Sequence, residues 1–148
     1  MRKQGSERGF TLIELMITLV IVGVIMAIAI PNLLNAINRG KQKRTMADIR
    51  SIATAVEAYS VDNTTYPIAA DVSSLALSLE PTYLDTIPPL DGWNHPFVID
   101  SVALRYTIGS AGRNGGSLVY VGGPTSDLTD SIVFSNGRFA QWPEGTQN

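Results

Sequence analysis

The stretch Gly9-Phe10-Thr11-Leu12-Ile13-Glu14-Leu15-Met16-Ile17 opens an apolar run that continues to Ile30 and stops at Pro31. Between Gly9 and Asn38 there is no Lys or Arg, and Glu14 is the one charged residue. As a helix, the 21 residues from Phe10 to Ile30 would extend roughly 30 Å, the thickness of a bilayer's hydrocarbon core. Ahead of the run, residues 1–9 carry Arg2, Lys3 and Arg8 against Glu7, which predicts a cytoplasmic N-terminal side. A secretory signal peptide would place a small-residue cleavage site after its apolar region. Here Ile30-Pro31-Asn32 and a helical pattern follow instead. A carboxylate such as Glu14 costs about 2.5–3.5 kcal/mol at the centre of a membrane helix and less near its end, so a partner is expected for it. The alternative is a first-turn acid that merely complements its own helix dipole.

Outward from Pro31, Leu33, Leu34 and Ile37 keep helical spacing, and Met46, Ile49, Ile52, Ala53, Val56 and Tyr59 recur at steps of three and four. This pattern predicts one long helix from about Phe10 to Tyr59, apolar all round in its first half and one-sided in its second. Pro31 has no N–H to donate and its ring crowds the preceding turn, so a kink or local melting is expected there, the alternative being a simple helix end. Arg39, Lys41, Lys43 and Arg44 follow, readable as a solvated face or as a contact for lipid headgroups or acidic patches on neighbouring subunits.

From Ser51 onward only Arg105, Arg113 and Arg138 stand against ten acidic residues. A region this acidic is a poor partner for nucleic acid and suits a solvated extracytoplasmic head. There is no cysteine, hence no disulfide and no thiolate metal site. Asp62-Asn63-Thr64-Thr65-Tyr66-Pro67 ends the long helix with turn formers. Leu75, Leu77, Leu79 and Leu84 lie in a connecting segment that can hold a short helix. Strands are expected at Phe97–Asp100, Arg105–Gly109, Ser131–Ser135 and Arg138–Trp142. Asn136-Gly137 is the favoured type I′ pair, placing Ser135 opposite Arg138 and Phe134 opposite Phe139, with the aromatic pair toward the core or the long helix. The fold class is α+β: a long N-terminal helix packed on a small antiparallel sheet of three to four strands.

The junction Gly9-Phe10-Thr11-Leu12-Ile13-Glu14 resembles the processing site of type IV prepilins and type II secretion pseudopilins. The resemblance implies a leader (1–9), a membrane or filament-core helix (10–30), an amphipathic half-helix (31–60) and a globular head (61–148). It implies cleavage between Gly9 and Phe10 by a prepilin peptidase, and N-methylation of Phe10. Glu14 would then be the assembly glutamate, paired with the Phe10 amine of a neighbouring subunit, and Pro31 the helix-kinking proline. Pro89-Leu90-Asp91-Gly92-Trp93-Asn94-His95-Pro96-Phe97 is similar to a segment of the major pseudopilins, with Asn94 where that pattern has Gly. The implied partners are further copies in a homo-oligomeric filament, other pseudopilins, the peptidase and an inner-membrane assembly platform. The implied location is a single pass through the bacterial inner membrane, head periplasmic or extracellular, and then a periplasmic pseudopilus or a surface filament.

Calcium is the candidate cofactor. Asn114 in 110–116, with Asp127 and Asp130 in 127–132, resembles the calcium loops of the major pseudopilins, although Asn114 and Ser131 replace acids there. Calcium takes six to eight oxygens, several of them charged. The alternative is an ordinary polar loop pair in which Asp and Asn serve turns. His95, the one histidine, has no local acid or nucleophile constellation, and no catalytic arrangement appears elsewhere, so the reading is not an enzyme. Three functions compete: a type II secretion pseudopilus subunit, favoured by the Trp93 segment and the absence of Cys; a type IV pilin for adhesion, motility or DNA uptake; and a non-polymerising single-pass protein with a binding head.

Overall fold

The computed structural model describes residues 9–145. These divide into two compact units, one ending at Ile37 and one beginning at Asn38. A single helix, α1 (Leu12–Asn63, 52 residues), passes through the boundary. It begins two residues later than the periodicity predicts, because Thr11 stays outside it and accepts the Glu14 N–H through Oγ1 at 3.3 Å. It remains helical through Pro31, so that proline neither melts nor ends it.

Among the described residues of the first unit, nothing packs against α1. From Phe10 to Ile37 its large apolar side chains are all exposed, Phe10 at 75% and Leu12 at 82%. In the second unit the same helix becomes one-sided. Met46, Ile49, Ile52, Ala53 and Val56 are buried, at the spacing expected for one helical face. The connecting segment does hold a short helix, α2 (Val72–Leu79), which buries Leu75 and Leu79. Asp71 caps it, accepting the Ser74 N–H at 2.7 Å, and the Ser74 hydroxyl completes the capping box.

Five strands form one sheet: β1 (Val98–Val102), β2 (Arg105–Ser110), β3 (Gly123–Thr125), β4 (Ile132–Ser135) and β5 (Arg138–Pro143), in the order β1-β2-β4-β5-β3. The four expected strands are all present with ends shifted by one or two residues, and β1-β2, β2-β4 and β4-β5 are antiparallel. The fifth, β3, runs parallel to β5 and makes the sheet mixed. Gly123-Pro124-Thr125 carries no strand signal of its own, and an edge position is where a proline is tolerated. In the β4-β5 hairpin Asn136 and Gly137 both have positive φ, 47° and 85°, and Phe134 faces Phe139 as expected. A bulge at Ala140 then shifts the register, so that Val133 faces Gln141.

An aromatic row crosses the inner face of the sheet. Tyr66 meets Tyr106 at 4.8 Å between ring centroids, Tyr106 meets Phe134 at 6.3 Å, and Phe134 meets Phe139 edge-on at 4.9 Å. The guanidinium of Arg50, on α1, lies 5.4 Å from the Phe139 ring centre. Tyr106 ties sheet, hairpin and helix together. Its hydroxyl donates to Glu57 Oε1 of α1 at 2.7 Å and accepts the Gly137 N–H at 3.1 Å, while its own N–H donates to Asn136 Oδ1. Burial, reinforced by that bond to Glu57, pushes the Tyr106 hydroxyl pKa well above the ordinary tyrosine range.

Tyr106→Phe would leave the Gly137 N–H without its acceptor and Glu57 without its donor. The expected cost is about 1–3 kcal/mol, read as a lower urea midpoint with an unchanged slope for the full chain in mild detergent. The Asp71 cap predicts a pH dependence. Hydrogen bonds from the Ser74 N–H, then from its hydroxyl, hold the Asp71 pKa below the ordinary value of 3.8. A depressed folded pKa gives stability that is complete above the unfolded value and lost as pH falls through the folded one. In urea melts taken from neutral pH to below about pH 4, Asp71→Asn should therefore show a shallower acid decline than the wild type.

Candidate functional site: an apolar helix start and a clipped head

The residues singled out from the sequence fall into two places. At the N-terminal end, Gly9 and Phe10 lie outside α1, and a Cβ added at Gly9 would meet nothing within 4 Å. The Gly9–Phe10 peptide is thus exposed, non-helical backbone. Thr11 supplies the helix cap, and the residues at 11 and 14 have the S/T-x-x-E spacing of a capping box, a signal that points to Thr11 directly. Only the forward half is made. The Glu14 side chain is exposed and has no hydrogen bond or ion pair among the described residues. The 18-residue window of highest hydropathy in α1 averages 2.8, and none of it is buried, so by length and composition the helix can cross a membrane. Pro31 removes one donor from the helical ladder without interrupting it.

The second place is the segment 88–97, where a buried carboxylate organises the chain. Asp91, 2% exposed, accepts the N–H groups of Trp93 and His95 on Oδ1, at 2.8 and 2.9 Å, and the Ser110 hydroxyl on Oδ2. Three donors to one carboxylate satisfy a charge that would otherwise be costly to bury. The backbone closes the same turn, Asp91 N–H to His95 O at 2.8 Å and Asn94 N–H to Asp91 O at 3.1 Å. Asn94 takes a φ of 66°, so it meets the left-handed requirement of the position where the related pattern has Gly. Gly92 lies against α1: its N–H donates to Thr45 Oγ1 at 2.9 Å, and a Cβ there would be 2.5 Å from the Lys41 carbonyl oxygen. Trp93 Nε1 donates to Asn38 Oδ1 at 3.3 Å. Thr45 and Asn38 are therefore working positions of the amphipathic half that hydrophobic periodicity does not mark. In the basic cluster, Arg39, Lys43 and Arg44 are exposed, and Arg44 pairs loosely with Asp48 at 3.6 Å.

His95 serves this architecture. Its Nδ1 lies 3.1 Å from the Gly112 carbonyl oxygen, and its ring packs where a Gly115 side chain would project. The loops holding Asn114, Asp127 and Asp130 do come together, with the Arg113 N–H donating to Leu128 O at 3.2 Å. Asp127 Oδ1 already accepts the Thr129 N–H at 2.9 Å, and no group of three or more His, Asp or Glu side chains converges among the described residues.

Comparison with known proteins agrees with this division of the chain. Residues 5–30 match the prokaryotic N-terminal methylation motif, and residues 32–119, more than half of the chain, match the model of type II secretion system protein G. The type II secretion system core protein G of Pseudomonas aeruginosa is 32% identical over 132 residues, covering 78% of this chain and 92% of that protein. Its counterparts in Vibrio cholerae (30% identical, covering 78% of this chain and 89% of that protein) and Dickeya chrysanthemi (32%, 87% and 86%) are similar along comparable lengths. With an exposed apolar helix start, a methylation motif around it and a head that matches from the helix into the sheet, the chain belongs to the protein G family of type II secretion systems.

Proposed function

We propose that this chain is the major pseudopilin of a type II secretion system, a structural subunit that polymerises into the pseudopilus used in protein export. The observation that carries the reading is the start of α1 in a member of the protein G family. An apolar helix with every face exposed requires a cover of lipid or of other helices. Lipid serves while the subunit sits in the inner membrane, leader side cytoplasmic and acidic head periplasmic. Neighbouring helices serve in the filament. Prepilin peptidase cuts between Gly9 and Phe10 and leaves a positive α-amino group at Phe10, one helical turn from Glu14. Pairing the Phe10 amine of one subunit with Glu14 of the next offsets the cost of an acid in an apolar layer and fixes the axial register. Each subunit then uses one surface to receive and another to be received, and such an open heterologous contact makes a helical filament. The assembly platform and other pseudopilins are the further partners of this reading.

Glu14→Ala tests the mechanism. Cleavage and membrane insertion should persist while filament yield falls at least tenfold, read by sedimentation of sheared filaments and by electron microscopy. Normal filaments from that variant would sink the Glu14–Phe10 pairing. Mass analysis of the mature wild-type N-terminus tests the class. A methylated Phe10 terminus is expected, and a chain retaining residues 1–9 would favour a simple membrane anchor instead.

A further inference from the structure

We propose that the two loops 110–116 and 127–130 form a latch that this chain closes with its own N–H donors, and that the head needs no calcium ion to hold them together. A calcium ion would have to collect six to eight oxygens from this pair of loops. Four oxygens of the two loops already accept hydrogen bonds. Leu128 O accepts the Arg113 N–H at 3.2 Å, and Asp127 O accepts the Asp130 N–H at 3.3 Å. Asp127 Oδ1 accepts the Thr129 N–H at 2.9 Å. Gly112 O accepts the Gly115 N–H at 3.3 Å and lies 3.1 Å from His95 Nδ1. At Gly112, φ +74°, the loops already touch: a Cβ there would sit 2.5 Å from Asp130 O and 2.8 Å from Thr129 O.

Carbonyl oxygens have a second lone pair, so charge has to be weighed as well. Asn114 brings none, and the two carboxylates of the second loop are opposed by Arg113. A site with a formal surplus of one negative charge is poorly equipped for a divalent ion, since calcium affinity follows the number of charged ligands. The first loop is also held from behind. The Gly112 N–H donates to Ser110 Oγ at 3.1 Å, and the Ser110 hydroxyl donates to the buried Asp91 carboxylate, which is part of the turn clipped to Thr45 of α1. The latch is thus continuous with the helix through polar bonds alone.

The test uses the full chain in mild detergent, melted in excess chelator and in millimolar calcium chloride. The two midpoints should agree to within about 1 °C, whereas an ion at a hundred times its Kd would raise the midpoint by roughly 10 °C or more. A rise of that size overturns the proposal, whether or not the double variant Asp127→Asn, Asp130→Asn abolishes it. The second arm tests the latch directly. Gly112→Ala, and the milder His95→Phe, should speed amide exchange across 110–130 at least about tenfold, equally with calcium and with chelator. Unchanged exchange in His95→Phe, or protection restored by calcium in either variant, overturns the proposal as well.

Discussion

A helix that exposes apolar side chains on every side from Phe10 to Ile37 cannot rest in water, and this constraint governs the rest of the molecule. Each 100 Å² of such surface carries about 2.5 kcal/mol of drive toward an apolar cover. Among the described residues of the first unit nothing supplies the cover, and lipid or other chains are the surfaces that can. The second half of the same helix meets the opposite requirement. It has a head to pack against, and the sequence responds by placing Met46, Ile49, Ile52, Ala53, Ala55 and Val56 on the buried side while most of its charged groups face outward. One continuous element thus serves two solvents, with the change of pattern falling in the basic stretch 39–44.

What fixes the head on its half of the helix is polar as well as apolar. Two buried groups do this, and each reaches across a large sequence separation. The Tyr106 hydroxyl joins β2 to Glu57 and to the hairpin turn at Gly137. Asp91 gathers the 88–97 segment and Ser110, while Gly92 and Trp93 of that segment bond Thr45 and Asn38. A hydrophobic face alone tolerates sliding along the helix, because apolar contacts have little direction. Hydrogen bonds at both ends of the packed region, one near Thr45 and one at Glu57, define a single axial position. A head that shifted along its own helix would carry its outer surface out of register with that helix.

Much of this was legible in the residues themselves. The helix periodicity, the Asn136-Gly137 turn and the Phe134–Phe139 register follow from local rules, and the structure agrees with each. The methylation motif over residues 5–30 was legible for the same reason: the signal is contiguous. Strand β3 was not, because its three residues gain their strand geometry from β5 and not from their own propensity. The role of Asp91 lay beyond sequence reasoning too, since nothing local says that Ser110 or Thr45 will meet that turn. The bonding within the loops 110–116 and 127–130 was not legible either, because a loop pattern compares residue types and not their hydrogen-bond partners. Asp127 has the right chemistry for a ligand, yet one of its oxygens caps the turn at Thr129.

The first turn of α1 carries one more consequence of that difference between residue type and partner. Thr11 and Glu14 have the spacing of a capping box, in which the acid would reach back to the N-cap N–H and spend its charge within its own chain. Only the forward bond, from the Glu14 N–H to Thr11 Oγ1, is present, and the carboxylate stays exposed. Thr11 therefore stabilises the helix start by itself, through a neutral hydroxyl. The charge three residues on is left available for a group outside the chain. Replacing the threonine with an apolar residue would press Glu14 toward its own helix end, where orphan N–H groups attract a carboxylate. The neutral cap leaves the Glu14 carboxylate exposed within an apolar surface, where an unpaired acid is costly once water is removed.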